Sequence, residues 1–193
     1  MSGVVPSAAA ATLVVMIALW VRSLATRDVT AVDVFWGPGF TLQAGIATGV
    51  HGNFSVRGAL LLGLVGVWSL RLAIHLGRRS VGRPEDSRYA RMRAARPEGF
   101  PLWSLVWIFG LQAGLMTAVA LPLTLGLGGG LDAPWGLLDA VGAGLWIVGF
   151  LFEVVGDHQL SVFRGDPGSA GRVLDTGLWR YTRHPNYFGE CYL

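Results

Sequence analysis

The chain has 193 residues, of which 52% are hydrophobic and only 14% charged, with fifteen basic residues against twelve acidic ones for a net charge of +3. Soluble domains carry roughly a quarter charged residues, so this composition excludes a disordered chain and disfavours an ordinary soluble globule. The single cysteine, Cys191, excludes a disulfide framework and a cysteine-based metal site, and four scattered histidines disfavour a metal cage.

Five apolar runs succeed one another. Val4 to Val21 is nearly unbroken and has the length that crosses about 30 Å of hydrocarbon. Nothing basic precedes it and no small-residue cleavage site follows, so it reads as a retained helix rather than a signal peptide. Phe35 to Val50 is weaker, and Gly58 to Leu76 carries Arg71 and His75 inside it. Leu102 to Leu127 holds Pro122, which is expected to kink it. Trp135 to Val155 is the fifth run, and a sixth span is expected to open at Pro185. None alternates with period two, so a barrel is disfavoured and the expected fold is an all-α polytopic membrane bundle. It is expected to be a single integral membrane domain over 1–193, cut short after Leu193.

The chain has no lysine, and thirteen of the arginines lie in three segments: Arg22 and Arg27, Arg78 to Arg96, and Arg164 to Arg183. The connections around Gly49 to Arg57 and Gly128 to Asp132 hold only Arg57. The positive-inside rule then places the basic segments in the cytoplasm and the N-terminus outside. Topology explains the basic balance, so a nucleic-acid partner is not expected; membrane lipid and a lipophilic small molecule are. The glycine run Gly126 to Gly130 lacks phosphate-loop spacing and reads as an outer turn.

Polar groups within spans cost free energy unless partnered, which singles out three constellations. Trp68, Arg71 and His75 share one helical face by their spacing of three and four. Arg71 either snorkels to the nearby cytoplasmic surface or faces a polar cavity and meets an anion. Asp33 either caps the helix it opens or serves chemistry beside Trp36, where Gly37, Pro38 and Gly39 are expected to break or thin the helix. Glu153, Asp157 and Arg164 fall within a narrow arc if the fifth helix continues past the membrane. Both acids sit near a helix C-terminus, where the dipole disfavours anions, so they are either a structural ion-pair cluster or part of a site. Beyond them Asp175 to Glu190 concentrates Trp179, Arg180, Tyr181, Arg183, His184, Asn186, Tyr187 and Glu190. Forked arginine donors suit phosphate, aromatic rings stack on a base, and carboxylate or amide groups hold ribose hydroxyls or a carboxamide. The chemistry suggested is a nucleotide held at the cytoplasmic membrane surface.

The segment Asp175 to Glu190 closely resembles the C-terminal signature of the steroid 5α-reductase superfamily, in particular its bacterial branch of uncharacterised membrane proteins. Asp33-x-x-Trp36-Gly37, and Glu85-Asp86-Ser87-Arg88-Tyr89 with Met92-Arg93, are similar to that branch's other signatures. The resemblance implies an NADPH-dependent oxidoreductase of the bacterial inner membrane, acting on the CH–CH group of a steroid- or enone-type lipid. It implies a cofactor site on the cytoplasmic side, built from Arg71, Glu153, Asp157, Arg164, Trp179, Arg180, Tyr181, Arg183, His184, Asn186, Tyr187 and Glu190. Glu153 stands where the superfamily has asparagine. Asp33 takes the place of a glutamate that polarises the substrate carbonyl, Trp36 lies beside it, and Trp68 falls where a tyrosine is expected. Two other readings compete: an isoprenylcysteine-type membrane methyltransferase using S-adenosylmethionine, which shares an Arg-His-Pro-x-Tyr-x-Gly-Glu-like motif, and a non-enzymatic membrane protein whose arginines meet anionic lipid. No metal is expected.

Overall fold

A computed structural model describes residues 3–51, 55–129 and 135–193. The expected outer connections and the end of the glycine run fall partly outside these residues. Among the described residues all regular structure is helical, with no strand. Four helices are long and apolar enough to cross a bilayer: Val4–Thr26, Val56–Ser80, Phe100–Val119 and Leu137–Gly165. The chain divides into two compact units, Met1–Ala133 and Pro134–Leu193.

In the first unit, α1 (Val4–Thr26) ends where Arg27 takes a left-handed conformation with φ 53°, which terminates the helix. The short α2 (Ala31–Val34) leads through Phe35 into α3 (Trp36–His51), which is only 16 residues long. Gly37, Pro38 and Gly39 do not break this helix, contrary to expectation. They form its first turn, where proline removes no donor that the helix would use. The glycine at 37 has a packing reason instead: a Cβ there would lie 2.6 Å from the Ser69 carbonyl of the next helix. That helix, α4 (Val56–Ser80), is capped by the Ser55 hydroxyl, which accepts from Gly58 N at 3.1 Å, and closes on Arg78 and Arg79, which complement its dipole.

After α4 comes the amphipathic α5 (Ser87–Ala94), capped by Asp86, whose carboxylate accepts from Arg88 N at 2.9 Å. The fourth apolar run divides as Pro122 suggests. α6 (Phe100–Val119) includes a π-helical stretch over Leu105–Gly110, and α7 (Leu121–Gly128) restarts beyond Ala120. α3 is the central element, packing on α1, α4 and α7. Two apolar clusters fill this unit. One gathers Met16, Val32, Phe40, Tyr89, Phe100, Met116 and Ala120, and the other Val4, Ala44, Ala47 and Leu127.

The second unit is α8 (Leu137–Gly165) with the chain that returns to it. The Asp139 carboxylate reaches back to Gly136 N at 2.8 Å and caps its start. The helix does continue well past Val155, as the expected alignment of Glu153, Asp157 and Arg164 required. Two short turns of 3-10 helix, Pro167–Ser169 and Gly177–Arg180, precede α9 (Pro185–Glu190), which packs along α8.

Candidate functional site

The polar residues gather in two places, one in each unit. In the second, α9 lies so close to α8 that side chains are excluded at the crossing. A Cβ on Gly189 would sit 2.5 Å from the Gly149 carbonyl, and one on Gly149 would sit 2.6 Å from the Gly189 carbonyl. Gly156, two turns further on, meets Pro185 and Asn186 N, each at 3.2 Å from its ideal Cβ. Glu153 and Asp157 are carried on this same buried face and are 1% and 8% exposed.

The Asn186 amide nitrogen donates to Asp157 Oδ1 at 3.2 Å. This contact also sets the amide's orientation, because only the nitrogen can face a carboxylate. Asn186 Oδ1 is then buried with no hydrogen-bond partner among the described residues. Trp179 Nε1 donates to the Gly156 carbonyl at 3.0 Å, and Leu178 N donates to Gln159 Oε1 at 3.0 Å, which pin the preceding turn to α8. His184 lies between rings, 6.5 Å from Trp179 and 5.2 Å from Tyr187. Arg164, Arg180, Tyr181, Arg183, Tyr187 and Glu190 are exposed. Glu153, Asp157, Trp179, His184, Asn186 and Tyr187 are thus brought into one neighbourhood, while Arg164 departs from the buried face of its two acids.

The first unit holds a network that composition alone did not signal. Asp33 Oδ2 pairs with the Arg88 guanidinium at 2.9 Å, and the Tyr89 hydroxyl donates to Asp33 Oδ1 at 2.6 Å. Gln112 Nε2 donates to that same hydroxyl at 3.3 Å, and Trp36 Nε1 donates to Gln112 Oε1 at 2.5 Å. Trp68 stands one ring further in: Phe40 lies 5.9 Å from Trp36 and 5.7 Å from Trp68. Arg71 and His75 are half-buried on α4. Burial is the largest influence on Asp33 and lifts its pKa above the usual 3.8, against the Tyr89 hydroxyl and Arg88, which pull it down. Burial, then the Asp33 carboxylate, push the Tyr89 phenol far above its ordinary value of 10.0, so it stays a donor.

The same end of this unit is latched by the neighbouring residues. Glu85 accepts from Val29 N at 3.0 Å and takes a forked contact from Arg93 at 3.0 and 2.7 Å. The Arg93 guanidinium lies 4.1 Å from the centre of the Phe100 ring. Asp86 N donates to Thr30 Oγ1 at 3.1 Å, and Trp20 Nε1 donates to the Pro101 carbonyl at 2.9 Å. The two motifs noted separately in the sequence, Asp33-x-x-Trp36-Gly37 and Glu85 to Arg93, are therefore two sides of one cluster. Arg88, Tyr89 and Gln112 are its members that were not singled out as site residues. The signal for Gln112 was its standing as the one amide in an apolar run.

A chain whose described residues form only helices, four of them able to span a bilayer, belongs to the class of polytopic membrane proteins. More narrowly, the chain belongs to the family described as "Protein of unknown function (DUF1295)", whose profile matches residues 19–193. It is similar to the uncharacterized protein C594.04c of Schizosaccharomyces pombe (strain 972 / ATCC 24843), with 26% identity over 197 residues. The match covers 89% of this chain and 57% of that relative, so the chain spans a little over half of the relative's length. No solved structure matches it significantly.

Proposed function

We propose that the protein is a membrane-embedded, NADPH-dependent reductase of an activated carbon–carbon double bond in a lipid-like substrate. The observation that carries this reading is the Asp157–Asn186 pair, with Asn186 Oδ1 buried and unanswered on the segment that resembles the steroid 5α-reductase signature. The donor set of the second unit fits a dinucleotide. Arg164, Arg180 and Arg183 are exposed forked donors for phosphates, and the Trp179, Tyr181 and Tyr187 rings offer stacking surfaces. Glu153, Asp157 and Asn186 suit hydroxyl and carboxamide groups, since carboxylates beside phosphate would repel it. When bound, NADPH supplies the hydride.

The chain's own groups then have distinct roles. Asp157 fixes the Asn186 amide so that its free oxygen accepts from the cofactor's neutral end. In the first unit, Asp33 and Tyr89 form a carboxyl–phenol pair that holds a proton for an enone oxygen, and burial favours the protonated carboxyl. Trp36 and Trp68 supply apolar walls beside it. In the same reading α3 is a fifth crossing, the N-terminus faces outward, and the basic segments face the cytoplasm across a plasma membrane.

Titrating the purified protein with NADPH while following intrinsic fluorescence tests this directly. Saturable binding is expected, weakened roughly tenfold or more by Asn186→Ala and by Arg180→Lys, on contacts of about 1.5–3 kcal/mol each. Unchanged affinity in both variants refutes the assignment. One observation favours a second reading: two buried carboxylates, Glu153 and Asp157, also suit the ammonium and ribose of S-adenosylmethionine. Preferential binding of that molecule over NADPH in the same titration would select the methyltransferase.

A further inference from the structure

Gln43 is wholly buried at the centre of α3, and neither its amide nitrogen nor its oxygen has a hydrogen-bond partner among the described residues. A primary amide withdrawn from water without replacement is a standing cost, and amides inside helical bundles are ordinarily bonded across to a neighbouring helix. Its position is specific. On α3 it falls between Phe40, which belongs to one apolar cluster, and Ala44, which belongs to the other. On α1, Thr12 falls between Val4 and Met16, which divide between the clusters in the same way. On α7, Thr124 falls between Ala120 and Leu127, again one from each. Thr12 and Thr124 are also fully buried.

α3 packs on both of those helices, so the three side chains mark one polar level between two apolar ones. Thr12 and Thr124 each donate at 3.0 Å to a carbonyl one turn back in their own helix, Ala8 and Ala120 respectively. Their hydroxyls are therefore satisfied as donors and Gln43 is not. α7 forms one wall of this level and restarts beyond the break at Ala120, ahead of Pro122.

We propose that Gln43 receives the polar end of a lipophilic molecule that enters the first unit beside α7. The amide offers a donor and an acceptor, which suits one carbonyl or hydroxyl group. The clusters above and below offer apolar walls for a long hydrocarbon body. Thr12, Gln43 and Thr124 carry no charge, so an ionic headgroup would enter without a counter-charge and is excluded. The inference does not rest on the reductase reading, and neither the enone nor the cofactor has a part in it.

The test is thermal unfolding of the purified protein with a long-chain primary alcohol, and separately with the alkane of the same length. The alcohol is expected to raise the midpoint of the wild type and the alkane to leave it unchanged. Gln43→Leu replaces an unpaired amide by an apolar side chain of similar size, so without additive its midpoint should rise by roughly 2–4 °C. Stabilisation by the alcohol should then vanish, while NADPH affinity stays as in the wild type. Should Gln43→Leu not fold, Gln43→Met gives the same readout. A lowered midpoint in the variant that folds, equal stabilisation by alcohol and alkane, or alcohol stabilisation that survives the substitution overturns the proposal. Failure of the wild type to bind NADPH would sink the reductase reading and leave these outcomes untouched.

Discussion

Asp33 is buried beside a guanidinium and a phenol, and the balance among the three decides how this end of the first unit responds to acid. Because burial raises its pKa, the folded chain holds the Asp33 proton more tightly than the unfolded chain does. Between 3.8 and the raised value, folding therefore takes up a proton, and the residue's contribution to stability falls as pH rises through that window. Above it the contribution is constant. Asp33→Asn abolishes this slope, so thermal unfolding from pH 4 to pH 7 should show the midpoint of the variant gaining on the wild type as pH increases. A variant that loses ground to the wild type as pH increases would mean that Arg88 and Tyr89 outweigh burial. Asp86 slopes the other way: its hydrogen bonds with Arg88 hold its pKa below 3.8, so its contribution is lost only as pH falls through that lower value. Tyr89→Phe removes a donor from Asp33 and an acceptor from Gln112, and about 1–3 kcal/mol of stability should go with it.

Elements divide sharply in how far the sequence disclosed them. The apolar runs gave the long helices because a bilayer-length run leaves few alternatives, and Pro122 marked the true break because proline cannot donate within a helix. The acids of α8 were legible too: a spacing of four puts Glu153 and Asp157 on one face, and that face is the one against α9. Asp33, Arg88 and Tyr89 were not, since 55 and 56 residues separate the partners and helical periodicity says nothing about which helix ends meet. Gln43 was likewise invisible, because burial of one amide depends on neighbours from two other helices. Glycines show the same divide, as composition counts 28 of them without telling which are required. The crossing of α8 and α9 supplies a direct comparison. Gly189→Ala would push a methyl group to 2.5 Å from the Gly149 carbonyl, so it should cost about 1–3 kcal/mol and lower the affinity of the proposed nucleotide site. Gly142→Ala, on the same α8 with nothing within 4 Å, should stabilise by up to about 1 kcal/mol through helix propensity. Equal effects of the two in thermal unfolding would mean that the crossing is not closely packed in solution.

At the scale of the whole molecule, the number of crossings turns on α3. Its 16 residues extend about 24 Å, short of the ~30 Å hydrocarbon core, so length alone would leave it out. The hydrogen bonds argue for including it. Thr30 and Asp33, just before α3, are bonded to Asp86 and Arg88, just after α4, so the pair of helices leaves one end of the first unit and returns to that end. If α4 crosses, α3 must cross with it, and local thinning of the bilayer accommodates the mismatch. The proposed topology puts the arginine-rich end in the cytoplasm, and on that proposal α6 with α7 and then α8 are two further crossings before Arg164. The single cysteine makes this measurable. Cys191 is exposed, and a membrane-impermeant maleimide should label it in inverted membrane vesicles and not in intact cells. In a Cys191→Ser background, Arg83→Cys should behave in the same way and Gly49→Cys in the opposite way. Labelling of Gly49→Cys and Arg83→Cys from one side would show that α3 turns back without crossing. Labelling of Cys191 and Arg83→Cys from opposite sides would separate the basic segments and remove the common cytoplasmic face on which the cofactor assignment depends.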